Sequence, residues 1–369
     1  MVIRKTIGRV MLKQIYRAIG LMSGTSMDGI DVAAIETDGE RVDWTAAAQT
    51  VPYAAETRAA LAAAVRAPEG DYAGLERELT DQHVAAVRSY IDALPAERRK
   101  IDVVGFHGHT VLHRPERRFT RQLGDGERLA QALGIDTVFD FRSNDVEAGG
   151  EGAPFAPVYH RALARGTDQP AVFVNIGGVS NVTYIDGETM LAFDTGPGNA
   201  LVDDWVFSHN GQRYDANGAI AARGRVDEGV LAKLLDNPYF ARKPPKSLDR
   251  QDFSATPVEG ISFEDGAATL TAFTARAIAK AAEHFPKAPA QWLITGGGRH
   301  NRTLMDELAK VLPGRVQPIE AIGADGDGLE AQAFAFMAVR TLLGLPISFP
   351  ETTGVPQPMV GGRLVRVAA

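Results

Sequence analysis

YRAIGLMSGTSMDGIDVAAIE, from Tyr16 to Glu36, consists of two apolar segments joined by a turn of small and polar residues. Short apolar runs bounded by such residues are typical of buried β-strands, and Gly, Ser, Thr and Asp favour tight turns. The stretch therefore predicts a β-hairpin. AVFVNIGGVSNVTYI, from Ala171 to Ile185, repeats the pattern of strand, Gly-rich turn and strand, so a second hairpin is expected.

Helices and further strands are predicted after each hairpin. The first is followed by a candidate strand at Asp43–Pro52, Ala-rich helices at Ala55–Ala67 and Tyr72–Ala93, and a buried strand at Ile101–Phe106. The second is followed by strands at Met190–Asp194 and Trp292–Thr295 and by helices at Gly198–Ser208, Glu264–His284 and Arg302–Val311. Two hairpins that each lead to helices and a later strand predict a duplicated α/β architecture.

Length and composition indicate a globular protein and argue against several classes of function. The 369 residues suggest two domains, and 45% hydrophobic with 23% charged residues argues against disorder. A net charge of -7 does not favour nucleic-acid binding. The lack of Cys excludes disulfides and thiolate metal sites and suits a reducing compartment. No segment approaches the roughly 20 apolar residues of a transmembrane helix, so a cytoplasmic protein without membrane contacts is expected.

Residues 1–17 are predicted to be an N-terminal extension. They carry basic residues but no apolar block of the kind found in a signal peptide. A frayed segment, or an early choice of start codon, is the simpler interpretation. A surface-bound amphipathic helix is the alternative, with one face formed by Ile3, Ile7, Val10, Met11 and Ile15.

Four Gly-rich turns lie at the ends of predicted strands. They are Gly24-Thr25-Ser26-Met27-Asp28-Gly29, the segment 175–181 around Gly177, the segment 193–199 with Gly196 and Gly198, and Gly296-Gly297-Gly298. Glycine lets an anion approach main-chain N–H groups, as phosphate binding requires, and Asp28 could hold a metal-bound water. Each turn alone could be an ordinary connection, but four in this order favour a nucleotide site. No GxxxxGK[ST] or GxGxxG sequence is present, which disfavours a P-loop or Rossmann site.

Six motifs along the chain resemble those of the 1,6-anhydro-N-acetylmuramic acid kinase family. They are GLMSGTSMDGID, GFHGHTVLHRP, FRSNDVEAGGEGAPFAP, NIGGVSN, FDTGPGN and LITGGGRHN. The resemblance covers nearly the whole chain, and MSGTSMDGID is highly specific. It implies the fold of the hexokinase, Hsp70 and actin group, with two ribonuclease-H-like α/β lobes, mixed sheets, and ATP in the cleft between the lobes. We place the first lobe at residues 18–135 and the second at 136–369, leaving open that the C-terminal segment packs back on the first lobe.

The resemblance also implies a reaction. The family hydrolyses the internal 1,6-anhydro bond and phosphorylates the freed O6, which gives N-acetylmuramic acid 6-phosphate in the recycling of peptidoglycan, the bacterial cell wall. Asp194 would be the catalytic base that activates water for attack at the anomeric carbon, while O6 accepts the γ-phosphoryl group. A base in a simpler kinase, or a ligand of Mg²⁺-bound water, is the alternative role for Asp194.

Binding residues are implied by the same motifs. The phosphates would be surrounded by Gly24, Thr25, Ser26, Met27, Asp28, Gly29, Gly177, Gly196 and Gly198, and the nucleoside would be approached by Gly296, Gly297 and Gly298. Arg142, Asn144 and Asp145 would lie on the sugar side, where a guanidinium suits a lactyl carboxylate; a surface ion pair is the alternative for Arg142. Glu330 would support the site from a helix start, or would be a charge favoured there by the helix dipole.

His107, His109 and His113 raise the alternative of a metal site. No further cluster of ligands accompanies them, so zinc is disfavoured, and a substrate-facing His107 fits the resemblance better.

One loop departs from the family pattern. Where the family usually has PPKSTGRE, this chain has PPKSLDRQ from Pro244 to Gln251. Leu248 and Asp249 therefore replace a small hydroxyl residue and glycine, and substrate affinity or closure of the cleft could differ.

The sequence thus predicts an ATP-dependent carbohydrate kinase that acts on a small sugar. Mg²⁺ is implied by the phosphoryl chemistry, and a homodimer by the resemblance. Two rival interpretations stay open. One is a kinase for an ordinary hexose or amino sugar that performs no hydrolysis. The other is a nucleotide-binding chaperone or filament protein of the same fold group, which the lack of a separate peptide-binding domain disfavours.

Overall fold

The computed structural model describes residues 14–24, 26–248, 252–258 and 260–367. Most of the predicted N-terminal extension (residues 1–13), Thr25 and Asp249 lie outside the described residues. The strands are β1 (Tyr16–Ser23), β2 (Gly29–Thr37), β3 (Val42–Thr45), β4 (Gln49–Pro52), β5 (Val103–Arg114), β6 (Phe119–Leu123), β7 (Thr137–Phe139), β8 (Ala171–Ile176), β9 (Val179–Asp186), β10 (Thr189–Pro197), β11 (Gln291–Thr295), β12 (Arg315–Pro318) and β13 (Arg363–Val365).

The helices follow the strands in both halves of the chain. They are α1 (Ala55–Arg66), α2 (Ala73–Ala93), α3 (Gly126–Leu133), α4 (Ser143–Glu147), α5 (Ala156–Ala164), α6 (Ala200–Asn210), α7 (Glu228–Leu235), α8 (Phe263–Lys280), α9 (Arg302–Val311), α10 (Leu329–Leu342) and α11 (Pro350–Thr353).

The two sheets share the same five-stranded core topology, and the first sheet has three additional strands. The first has the strand order β13-β7-β5-β1-β2-β3, with β4 paired to β2 and β6 to β5, and the second has the order β10-β9-β8-β11-β12. In each sheet a three-stranded antiparallel meander, β1-β2-β3 or β8-β9-β10, is extended by two parallel strands. This is the ribonuclease-H-like arrangement, so the predicted fold class and duplication are confirmed.

Both predicted hairpins are present. β1 pairs with β2 from Tyr16–Thr37 to Met22–Asp31, and β8 pairs with β9 across the NIGGVSN turn. The strand predicted at Ile101–Phe106 is longer than expected, because β5 continues through HGHT to Arg114. The reason is β6, which the sequence did not reveal and which supplies main-chain partners to His109–Arg114.

Two helices lie between the sheets and share one apolar core. α10 packs on the first sheet, α5 packs on the second, and the two helices contact each other. Tyr159 of α5 donates a 2.9 Å hydrogen bond to Oε1 of Gln332 of α10. The outer face of the first sheet is covered by α1, α2 and α3, and that of the second by α8 and α9. The order of layers is therefore helices, sheet, shared helices, sheet, helices.

α10 approaches the first sheet at two glycines. A Cβ on Gly20 of β1 would lie 1.8 Å from the carbonyl oxygen of Ala331, and one on Gly105 of β5 would lie 2.2 Å from that of Phe334. The helix backbone therefore rests directly on the strands. The C-terminal part of the chain also adds β13 to this sheet, next to β7. The lobe boundary at residues 135 and 136 stays a prediction.

We expect Gly20→Ala to lower the free energy of unfolding by at least about 2 kcal/mol, because the methyl group would overlap a helix backbone that cannot move alone. Denaturant unfolding of the full chain measures this. Gly74→Ala is the matched control, since Gly74 lies in α2 with open space around it, and alanine should leave stability unchanged or raise it by up to about 1 kcal/mol. Equal stabilities of the two variants would contradict the proposed close contact.

Candidate active site

A cavity of about 780 Å³ lies between the two sheets. Its wall includes Met22 and Ser23 at the carboxyl end of β1, Asn175 at the end of β8 and Thr295 at the end of β11. Ligands of open α/β sheets bind at such strand ends.

Eight of the residues predicted to form the site line this cavity: Gly24, Ser26, Gly177, Gly296, Gly297, His107, Arg142 and Glu330. The other described ones lie outside its lining: Met27, Asp28, Gly29, Gly196, Gly198, Gly298, Asn144, Asp145 and Asp194.

A polar row crosses the inner face of the second sheet. Asp194 pairs with Asn181, Asn181 pairs with Asn175, and Asn175 pairs with Thr295. Directly paired residues project to the same face, with Cβ atoms about 4.5–5.5 Å apart in antiparallel pairs. Asn181, Asn175 and Thr295 line the cavity. Asp194 is thus the fourth member of a row whose other members face the cavity.

Asp194 is held by three contacts from one segment of chain. Its carboxylate oxygen Oδ2 accepts a 2.8 Å hydrogen bond from the main-chain N–H of Leu248. Its own N–H donates to the carbonyl of Lys246 at 3.0 Å, and its carbonyl accepts a hydrogen bond from the Tyr239 hydroxyl. Burial raises the pKa of Asp194 to about 6, against the opposing effect of the Leu248 hydrogen bond. A carboxylate with this pKa can take up a proton near neutral pH.

The inner face of the first sheet also becomes polar where it meets the cavity. Met22 pairs with Asp31, and both line the cavity. Burial raises the pKa of Asp31, and the charges of Asp28 and Asp327 raise it further, although the Thr50 hydroxyl donates to Oδ1 at 2.6 Å. His107 lies two residues beyond Gly105 on β5, and its ring packs on Phe334 of α10 at 4.6 Å.

Arg142 and His107 form one hydrogen-bonded unit. The Nε–H of Arg142 donates to Nε2 of His107 at 3.1 Å, and Nδ1 of His107 lies 2.8 Å from the carbonyl of Gly108. His107 is therefore neutral, with its proton on Nδ1, and burial and the Arg142 charge hold its pKa well below the usual value. Arg142 also donates from Nη1 to the carbonyl of Gly152. Burial lowers the pKa of Arg142 to about 10, which leaves it cationic at neutral pH.

Asp145 and Asn144 do not share the role of this unit, although α4 begins next to Arg142. Oδ1 of Asp145 accepts from the N–H of Gly152 at 2.7 Å, and Oδ2 accepts from the Thr353 hydroxyl at 2.6 Å. Both oxygens thus hold the protein together. Asn144 is exposed on the surface of α4. Their predicted contact with substrate stays a prediction.

The three Gly-rich turns of the second lobe are in mutual contact. The N–H groups of Gly198 and Asn199 donate to the carbonyls of Gly178 and Gly177 at 2.9 and 2.7 Å. A Cβ on Gly198 would lie 2.3 Å from the Gly177 carbonyl oxygen, so only glycine fits there. Gly296 has a φ of +70° and adjoins Asn175 in the same way. The turns at Gly177 and Gly296 therefore line the cavity, and the turn at Gly198 packs against the first of them.

Arg299 fixes the third turn to the segment that leads into α10. Its side chain is only 3% exposed and donates to Glu320 at 2.8 Å, to Asp327 at 2.7 Å and to the Gly296 carbonyl at 3.0 Å. Asp325 in the same segment accepts from the N–H of Ala48 at 2.8 Å, which belongs to the first lobe. One short segment thus connects the second-lobe turn with both lobes.

Comparison with known proteins identifies the family. The family model for anhydro-N-acetylmuramic acid kinase matches residues 16–366. The chain is 53% identical to the anhydro-N-acetylmuramic acid kinase of Rhizorhabdus wittichii over 356 residues, covering 94% of this chain and 97% of the relative. The identity to the Paramagnetospirillum magneticum kinase is also 53%, over 94% and 98% of the two chains.

The chain belongs to the anhydro-N-acetylmuramic acid kinase family. Membership confirms the predicted enzyme class, an ATP-using carbohydrate kinase, and the predicted function as an anhydro-N-acetylmuramic acid kinase. Among solved structures, the chain is similar to a ROK family glucokinase from Streptomyces griseus in complex with glucose and AMPPNP, with 14% identity, a TM-score of 0.39, and coverage of 87% and 99%.

Several cavity residues were not singled out as site residues from the sequence, although Asn175 and Asn181 lie within a predicted Gly-rich turn. They include Asp31, Asn175, Asn181, Thr295, Arg299 and Asp327. Reading NIGGVSN with the two-residue period of a strand would have found Asn175 and Asn181, because both face inward close to the turn that joins their strands. Arg299 carried no such signal, since its role depends on Glu320 and Asp327.

His109 and His113 each form a hydrogen bond within the protein. His109 lies 2.8 Å from the Ser23 hydroxyl, and His113 lies 2.8 Å from the Glu151 carbonyl, so each has its own partner. Across the described residues, no group of three His, Asp or Glu side chains is arranged to hold a metal ion.

In the described part of the chain, no helix has the length and apolarity to cross a membrane.

The departure at Leu248 leaves the contact with Asp194 in place. The donor to Asp194 is the main-chain N–H of residue 248, which a change of side chain does not remove. The leucine side chain packs against the apolar cluster of α6, α7 and α8. The substitution therefore adds apolar packing to the loop that covers the carboxylate.

We expect Asp194→Asn to stabilise the fold at pH 8, because asparagine keeps the shape without a buried charge. The raised pKa of Asp194 means that its contribution to stability is present below about pH 4 and is lost as the pH rises through about 6. The stability difference between variant and wild type should therefore be about 1 kcal/mol larger at pH 8 than at pH 5. Urea unfolding at both pH values measures it.

Asp306→Asn is the control for this titration, because Asp306 is exposed on α9. Its effect on the free energy of unfolding should be small, because no buried charge is removed. A pH-independent difference between Asp194→Asn and wild type would contradict the raised pKa of Asp194.

Proposed function

We propose that this kinase opens the 1,6-anhydro bond with water and phosphorylates the released O6 in the same active site. The observation that carries the proposal is the row on the second sheet, where Asp194, with a pKa raised to about 6, follows three cavity-lining residues. In this proposal Asp194 is the proton acceptor at the side of the cleft, and the Gly-rich turns form the opposite, phosphate-binding edge.

The proposed reaction needs a single carboxylate. The oxygen of a water molecule forms a bond to C1 of the sugar, and its proton passes to the carboxylate of Asp194. The C1–O6 bond breaks, and O6 takes the γ-phosphoryl group of ATP, so that ADP and the 6-phosphate leave. A glycosidase places a proton-donating acid at the leaving oxygen; here the phosphoryl group takes that position. The C1 hydroxyl of the product therefore comes from water.

The carboxylates around the first turn fit Mg²⁺. This ion prefers oxygen ligands and is commonly held by one or two carboxylates together with phosphates and water. Asp31 lines the cavity, and the charges of Asp28 and Asp327 contribute to its raised pKa. A divalent cation would offset that repulsion. Asp31, together with Asp28 through water, would hold the ion, which would neutralise charge on the phosphates.

The sugar side of the cleft is assigned to Arg142, His107 and Glu330. Two of the Arg142 contacts are made by Nε and Nη1, which leaves other N–H groups of the guanidinium for the lactyl carboxylate. Glu330 lies at the start of α10 and lines the cavity, so protein surrounds its side chain although water in the cavity reaches it. Burial raises the pKa of Glu330, whereas the positive charge of Arg142 lowers it. The two side chains are therefore close enough for each charge to affect the other.

The cellular setting is proposed on the same basis. Formation of N-acetylmuramic acid 6-phosphate from the anhydro sugar would serve the recycling of peptidoglycan. The absence of Cys suits the cytoplasm. A homodimer is proposed from the resemblance to the family.

We expect each phosphorylated product formed in H₂¹⁸O to carry one ¹⁸O atom at C1 and none in its phosphate, because water attacks carbon and O6 attacks phosphorus. Mass spectrometry of early time points measures this. Product made in ordinary water and then incubated in H₂¹⁸O gives the background from slow exchange at the anomeric carbon. Product without label above that background would favour the rival, a kinase that performs no hydrolysis.

Asp194→Asn supplies the residue-level control for this experiment. It should abolish both label and product while ATP binding persists, because an amide keeps the shape of the site but cannot accept the proton. Near-normal turnover of the variant would remove Asp194 from the mechanism, whatever the origin of the C1 oxygen.

We expect Arg142→Ala to raise KM for the anhydro sugar about 10- to 100-fold, the loss that follows removal of a hydrogen bond between charged groups. With 1,6-anhydro-N-acetylglucosamine, which lacks the lactyl carboxylate, the same substitution should change KM much less. Arg114→Ala is the matched control, since Arg114 is an exposed arginine at the end of β5. Equal losses on both sugars would show that Arg142 acts only by holding Gly152 and His107.

A further inference from the structure

His160 is a buried polar residue of α5 for which the mechanism above has no use. His160 lines the cavity and is only 4% exposed. The imidazole stacks on the ring of Phe173 with a centroid distance of 4.5 Å and an interplanar angle of 1°. Nδ1 lies 3.0 Å from the hydroxyl of Thr183, whereas Nε2 is buried and has no hydrogen-bond partner among the described residues.

The hydrogen bond to Thr183 determines which nitrogen of His160 carries the proton. Burial lowers the pKa of His160 to about 3, so the ring is neutral in the working range of an enzyme. If the hydroxyl donates to Nδ1, only the Nε2–H is left without a partner. If Nδ1–H donates instead, both the hydroxyl proton and the Nε2 lone pair are left. The first arrangement wastes fewer buried polar groups, so Nε2 is a neutral donor.

The second sheet determines where this donor lies. Phe173 and Thr183 pair directly, and Asn175 and Asn181 form the next pair on the same face, about 7 Å further along the strands. His160 therefore covers the last row before the polar row that contains Asp194. The Gly-rich turn at Gly177 lies beyond the polar row on the other side. His160 is thus separated from that turn by the row itself.

We propose that His160 is a substrate-binding residue whose Nε2–H donates to an uncharged oxygen of the sugar, a hydroxyl or an amide carbonyl. The assignment to sugar rather than phosphate rests on the proposed function, in which the Gly-rich turns surround the phosphates. A neutral donor suits this position because it binds an oxygen without placing a cation near Asp194, where a positive charge would lower the pKa of the base.

Two substitutions separate this role from a structural one. Asparagine places its amide near the position of Nδ1 and keeps the contact with Thr183, while glutamine reaches the position of Nε2. We expect His160→Asn to raise KM for the anhydro sugar about 10-fold or more, as expected for one lost hydrogen bond, and His160→Gln to raise it about 3-fold. KM for ATP should stay within about 2-fold in both, because the phosphates lie beyond the row. The reverse order, or a shift confined to ATP, would overturn the proposal.

A measurement on the unmodified protein gives an independent test. With ¹⁵N-labelled histidine, the His160 signal, assigned by its loss in either variant, should report a neutral ring protonated at Nε2. Adding the anhydro sugar should move that signal, and adding ADP alone should not. A proton on Nδ1, or no change with sugar, would overturn the proposal. Failure of C1 labelling in H₂¹⁸O would reject only the hydrolytic step, since both readouts here report sugar binding.

Discussion

Helix α10 lies so close to β1 and β5 that neither strand can carry a side chain where they cross, and the rest of the structure depends on this contact. At Gly20 and Gly105 the helix backbone meets the strand backbone. The other side of α10 contacts α5, and α5 packs on the second sheet. The two sheets therefore bury their inner faces against one shared layer. The cavity begins where that layer ends, with Glu330 at the first turn of the helix.

The register of the sheets then places the chemistry. Along the inner face of the second sheet, the pair Ala171 and Ile185 is apolar, the pair Phe173 and Thr183 is mixed, and the pair Asn175 and Asn181 is polar. Since side chains alternate between faces with a period of two, a shift of one residue would turn this polar row to the outer core. The same holds on the first sheet, where Met22 and Asp31 follow apolar pairs. Both sheets therefore place polar side chains, Asp31 on the first and Asn175 and Asn181 on the second, where their inner faces reach the cavity.

Burial rather than a charged neighbour sets the electrostatics of the second lobe. The pKa of Asp194 rises because water is excluded from it, and the one opposing effect is a main-chain N–H from the covering loop. The same exclusion of water lowers the pKa of His107, the neighbour of Arg142, and keeps its ring neutral. The charges that remain are separated in space: the Arg142 guanidinium lies beside His107, and the carboxylates of Asp31 and Asp28 lie near the first turn. Under the proposed function, this separation lets a base and an anion-binding region work within one cleft.

Local pattern alone was sufficient to predict the two hairpins, the long helices α2, α8 and α9, and the positions of the Gly-rich turns, because strands, helices and turns follow from periodicity and from residues such as glycine. The serial motifs were also sufficient to predict the family and its activity. The sequence did not reveal β6 or the extension of β5 that β6 supports, since strand pairing is a contact between distant segments. It also did not reveal that Arg299 clamps the third turn or that Leu248 covers Asp194 with its main chain.

What tertiary structure decided was which polar groups share a cavity, which are consumed in holding the chain together, and which are left without a partner. Asp145 and Arg142 are three residues apart in the sequence, yet one carboxylate is used entirely within the protein while the guanidinium lines the cleft. Residue type and spacing cannot make that distinction. Burial and hydrogen bonding depend on what the rest of the chain brings alongside, and only the packed fold determines it.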